Sequence, residues 1–167
     1  MTTGELRQAR AACADAFAFL TTDFGYQKCR ERFQWRGFQL GYCGPVMGVV
    51  VEWYPRDPLT VWVVRLVDGD FPPRTDVIGP ASPLYYFDLR DVELVRSQHN
   101  GIDERELYSM PTGETARMLA NSLRDCGSDL LRGDLALLPA LEQRIRGRAR
   151  EGAVARWGHE GAQQRGW

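Results

Sequence analysis

"VMGVVVEWYPRDPLTVWVVRLV", residues 46–67, is the stretch that decides the fold. Two valine-rich runs flank "PRDP", whose prolines cannot sit at the centre of a helix or of a paired strand. β-Branched and aromatic side chains fit a pleated surface, so the pattern predicts two strands joined by a turn. Glu52 and Arg65 are poor core residues, and side chains two apart share a face. Val50, Tyr54, Val61 and Val63 are therefore expected on the outer face with them. Met47, Val49, Val51, Trp53, Trp62, Val64 and Leu66 are expected on the face that carries the helices.

Upstream, Cys29, Phe33 and Trp35 alternate with Lys28, Arg30, Arg32 and Gln34, and Phe38, Leu40 and Tyr42 alternate in the next run. Arg36-Gly37 reads as the turn between them, and Cys43-Gly44-Pro45 breaks the second strand. The result is a four-stranded antiparallel meander. Before it, Leu6, Ala9, Cys13, Ala16, Phe17, Leu20 and Phe24 recur at steps of three and four, the stripe of an amphipathic helix over 4–24 that Gly25 ends.

Downstream, residues 68–83 hold four prolines and two glycines in sixteen positions and read as a long surface excursion. Asp88 is a candidate N-cap for a short helix bearing Leu89, Val92, Leu94 and Val95, and residues 99–109 are polar and turn-like. Thr112 is a candidate cap for a helix with Met118, Leu119, Leu123 and Cys126 inward, which Gly127 is expected to stop. Ser128 would then cap a single turn. Arg132-Gly133-Asp134 spells an adhesion tripeptide, yet leucines surround it. It reads as the joint to a last helix with Leu137, Leu138, Leu141 and Ile145 inward and Pro139 tolerated in its first turn.

Beyond Ile145 the apolar period fades, and the helix is expected to fray, with Trp157 docking back. The expected architecture is a single α+β domain over 1–157, with an N-terminal helix and C-terminal helices packed on one face of the meander, and a flexible tail over 158–167. The chain has 167 residues, enough to bury a core without staples. The outer sheet face is more apolar than a solvated face requires, so a later segment or a partner should cover it.

Lys and Arg total 21 against 22 acids, and the net charge of −1 offers no global field for nucleic acid or an anionic membrane. No stretch approaches the ~20 apolar residues of a membrane span, and residues 1–10 lack the plan of a secretory signal. A cytoplasmic location is expected. Cys13, Cys29, Cys43 and Cys126 include no C-x-x-C pair, which fits neither a disulfide framework nor a zinc site. Free, mostly buried thiols are expected.

The chain has two histidines, His99 and His159. Cys43 with His99 is the one nucleophile and base pairing that a small hydrolase would use. Residues 68–106 carry nine acids and four arginines, without the spacing of a calcium loop, and no phosphate-binding loop is present. No cofactor and no metal are expected. Arg30, Arg32, Tyr54 and Arg65 on the outer sheet face are the candidate partner-binding residues, with Asp68, Asp70 and Asp76 of the long loop as the rival surface. Arginine and aromatic residues suit protein interfaces, and no motif supports nucleic-acid binding.

The order of "FAFL…FGY", "VVVEWYPRDPLTVWVVRL" and "LRDCGSDLLRGDLALLPALEQRIRGR" resembles a diffuse group of small bacterial α+β proteins of uncharacterised activity. Some of them are encoded beside polymorphic toxins and regarded as immunity proteins. The likeness spans about Phe17 to Arg148 and includes no catalytic signature. It implies a non-catalytic protein that binds and occludes a cognate toxin, with no functional residue carried over. The alternative is an accessory or scaffold subunit of a larger bacterial assembly.

Overall fold

The computed structural model describes residues 3–34, 37–75, 77–97 and 104–167. Helix α1 (Thr3–Ala16) and the short α2 (Phe19–Thr22) precede strands β1 (Gln27–Gln34), β2 (Gly37–Cys43), β3 (Met47–Trp53) and β4 (Thr60–Arg65). A further strand, β5 (Tyr86–Asp88), leads into α3 (Leu89–Ser97), α4 (Glu104–Ser109), α5 (Thr112–Leu131) and α6 (Leu138–Gln163). The fold is α+β, and its antiparallel sheet runs β1-β2-β3-β4-β5. It has five strands rather than the expected four. The fifth is three residues long, too short to show a period, and it exists because Tyr86, Phe87 and Asp88 pair with Val64, Val63 and Trp62.

Helix α1 packs on α5, and α3 packs on α5 and α6, all against one sheet face. The core there joins Leu40, Val49, Val51, Val61, Val63 and Phe87 of the sheet to Phe17, Leu20, Leu119, Leu123, Leu141 and Ile145 of the helices. Each such side chain contributes about 1.5–3 kcal/mol on burial, which is what holds two layers of modest local propensity together.

The expected facing holds for β3 and is reversed for β4. Val49 pairs with Val63 and Val51 with Val61, so Val61 and Val63 lie inward. Trp62, Val64 and Leu66 lie on the outer side with Val50. Arg65 misleads because it is the last residue of its strand, where a long side chain reaches water from either face. Trp35 and Arg36, expected in the first strand and the turn after it, lie outside the described residues.

Three helix boundaries also differ. The N-terminal stripe is broken after Ala16, and Gly25 ends the second piece with φ 70°. Helix α5 begins after Pro111 with no side-chain cap, and it runs through Gly127 instead of stopping there. Gly127 is buried beside Leu123, and the stripe continues to Leu130 and Leu131, whose burial outweighs the ~1 kcal/mol cost of a helical glycine. Helix α6 continues to Gln163 across a kink at Gly158.

Gly133 is the true terminator of α5. It has φ 87°, and the Asp134 amide donates to the Asp129 carbonyl at 3.0 Å across it. The Asp134 carboxylate then accepts from the Ala136 amide at 2.9 Å, so the tripeptide is a structural joint. Gly133→Ala should cost about 1 kcal/mol, read as a lower urea midpoint with unchanged slope. An unchanged midpoint would show that the joint does not need its left-handed residue.

Candidate binding surfaces

The outer sheet face is covered by the chain itself. Val67 and Asp70 exchange two backbone hydrogen bonds of 3.0 Å around Asp68 (φ 52°) and Gly69 (φ 81°), a tight reversal that throws the next residues back over the sheet. Gly41 and Gly48 leave a hollow there, and the Phe71 ring fills it. A Cβ on Gly48 would lie 2.6 Å from Phe71 Cε1. The Arg30 guanidinium lies 4.8 Å from the centre of the same ring.

Polar contacts fasten the rest of this cover. Tyr86 donates to the Pro72 carbonyl at 2.8 Å. Arg74 donates to Glu52 at 2.9 Å and stacks 4.1 Å from the centre of the Trp62 ring. The Glu52 carboxylate also accepts from the Trp62 indole at 2.9 Å and from Gln39. A charge that looks misplaced on a valine-rich strand is thus the anchor of the loop.

Of the residues expected to bind a partner, Arg30 is half-buried beneath this cover and Arg32 is exposed. Tyr54 is half-buried, hydrogen-bonds Gln39, and has its phenol pushed up by burial and then by the Glu52 charge. Arg65 does not join them. It sits at the far end of β4 in a shallow cleft with Asp68, Glu142 and Arg146, so it belongs with the acidic loop. Asp70 is exposed at the reversal, and Asp76 lies outside the described residues. The basic and acidic sets are therefore not two separate surfaces.

Strand β1 pairs with β2 alone and forms one edge of the sheet. Lys28, Cys29, Glu31, Arg32 and Phe33 are all exposed, Phe33 by 58%. The pairing slips between Lys28 and Arg30, a bulge that places Cys29 beside Cys43. These two form a disulfide with Cα atoms 5.9 Å apart, which corrects the expectation of four free thiols. Sequence spacing misses it because the bulge, not the strand period, brings the two sulfurs together. Arg10 and Lys28 both donate to Glu31 and hold its carboxyl down to about 2, tying the strand to α1.

The disulfide also removes the Cys43 thiol from the hydrolase pairing, and His99 lies outside the described residues. Of the free cysteines, Cys13 is buried, and burial pushes its thiol up to about 12. Burial also raises Cys126, with Glu93 and Asp125 adding to it. Iodoacetamide on the folded, unreduced protein should therefore label Cys126 slowly and Cys13 not at all, with a linked 29–43 peptide in the digest. Rapid labelling of Cys29 without reductant would contradict the pairing.

The remaining acids are dispersed. Asp88 caps α3 by accepting from the Arg90 amide at 3.0 Å, as the sequence leads one to expect. Asp91, 1% exposed, accepts from both terminal nitrogens of Arg148 at 2.8 and 2.9 Å and from Arg144 Nε at 3.1 Å. Glu93 accepts from Ser122. Among the described residues no three His, Cys, Asp or Glu side chains gather as metal ligands.

No family model matches the chain, nor does any curated protein or solved structure. What its surfaces do must follow from their own chemistry. Among the described residues, no helix is long and apolar enough to cross a membrane. Two concavities flank α6. One of about 230 Å³ has Trp62, Tyr86, Asp88 and Asp91 in its wall, and its carboxylates are already engaged by arginines. The other, about 590 Å³, lies between α6 and residues 77–80.

Proposed function

We propose that the chain is a non-catalytic bacterial protein-binding protein, and in its sharpest form an immunity-type inhibitor that occludes a cognate toxin, with β1 as the element that meets the partner. The observation behind this reading is the free edge of β1: an eight-residue strand that, among the described residues, pairs with β2 alone, with Arg32 and Phe33 exposed. An open edge carries unmet N–H and C=O groups that another chain's strand can pair with. The ladder to β2 holds this edge in place, so less ordering is needed on binding. Arg32 favours an acidic partner and speeds its approach. We place this activity in the cytoplasm, where a reducing pool would keep Cys29 and Cys43 as thiols and leave the edge less constrained.

The test is photocrosslinking in the native cell, with a benzophenone amino acid replacing Phe33 or, as a control, Tyr108 of α4, which is equally exposed at 58%. One protein should be captured at the first position and not at the second, and Arg32→Glu should abolish the capture. Capture at Tyr108 alone, or only of the chain itself, would refute the reading. Aggregation of the purified chain without a neighbour would favour the scaffold subunit instead.

A further inference from the structure

We infer that the groove between α6 and residues 77–80 is a second binding site, made for an acidic peptide segment that carries an apolar side chain. The kink at Gly158 (φ 73°) redirects the last part of α6, which supplies one side of it. Arg165 thereby returns to Trp157, its guanidinium carbon 4.7 Å from the ring centre, while Arg156 lies 5.9 Å from the same ring. Trp167 closes that end of the groove.

Two guanidiniums are thus gathered at one indole. Among the described residues neither forms an ion pair, whereas Arg144 and Arg148, earlier in the helix, are both engaged by Asp91. Among the described residues no acidic side chain lines the groove. A carboxylate meets a planar guanidinium with paired, charge-assisted hydrogen bonds, so the unmet charge fits an acidic residue. The opposite wall is aliphatic: Val77 is 80% exposed and Ile78 adjoins it. That wall suits a leucine or phenylalanine beside the acid.

A nucleic-acid strand fits less well. Its phosphates repeat and need cations along the whole groove. Here Arg148 is paired with Asp91, which leaves the guanidiniums without an ion pair, Arg156 and Arg165, at one end only. The site is separate from β1 and stands whether or not that edge pairs with a partner.

The experiment is selection of a random-peptide display library on the immobilised full-length protein, followed by anisotropy titration of labelled winners. Winners should be enriched in Asp or Glu next to an aromatic or aliphatic residue. The pair Arg156→Glu and Arg165→Glu should weaken them by roughly tenfold or more, and Arg32→Glu should leave them unchanged. Both arginines are exposed, so the melting temperature should not move with the reversal. Winners without acids, or winners that bind the reversed protein equally well, would overturn the inference. So would oligothymidylate binding that the same reversal removes, which would assign the groove to nucleic acid.

Discussion

Phe71→Ala should lower the unfolding free energy by about 3–5 kcal/mol, a fall of roughly 10 °C in melting temperature for a domain of this size. The size of the effect is unusual for a residue in a long proline-rich loop, where substitutions are commonly tolerated. It follows from where the ring lies: 7% exposed, over Gly41 and Gly48, with Val50 and Val64 of the sheet beside it. Truncation leaves a cavity against backbone that cannot collapse into it, and it uncovers valines. Gly48→Ala should also destabilise, because its new methyl meets the Phe71 ring. Combined with Phe71→Ala, that methyl fills part of the hollow, so the double variant should cost less than the sum of the two. Urea unfolding of the three variants measures this. A loss under about 1 kcal/mol for Phe71→Ala would show that the loop does not cover the sheet.

Much of this arrangement was legible in the sequence, and the failures share a physical cause. Strand period gave the meander and the facing of β3, because Glu52 lies inside the strand and cannot reach water from the wrong side. It failed for β4, where Arg65 stands at the strand end. Periodicity is a local signal, and the features it missed are made by distant partners. Strand β5 depends on β4, the disulfide depends on a bulge, and Gly127 stays helical because Leu123 and Leu130 are buried around it. The binding residues suffered in the same way. Arg30, Arg32, Tyr54 and Arg65 share a charge or ring that suits an interface, yet the β4 reversal and the Phe71 cover separate them. Arg156 and Arg165 were missed because the sequence from 146 onward reads as a fraying end. The signal was present in Gly158, whose positive φ kinks the helix.

Removing Arg144 and Arg148 together should cost more than removing Asp91, although all three belong to one ion cluster. Asp91 is almost fully enclosed, while the arginine side chains are 41% and 59% exposed. The double arginine variant strands a buried carboxylate with no cation, a loss of about 3 kcal/mol or more. Asp91→Asn leaves two guanidiniums that water can solvate and an amide that still accepts a hydrogen bond, so about 1–2 kcal/mol is expected. Adding Asp91→Asn to the double arginine variant should then recover stability, a sign that simple loss of contacts cannot produce. The same cluster fixes α6 against α3, and Arg148 also lines the peptide groove. The double arginine variant, which takes Arg148 out of the groove and leaves the Asp91 carboxylate unpaired, should therefore lose acidic-peptide affinity without touching Arg156 or Arg165. If the triple variant were less stable than the double, the carboxylate would not be buried at a cost, and the arginines would be acting through their aliphatic packing alone.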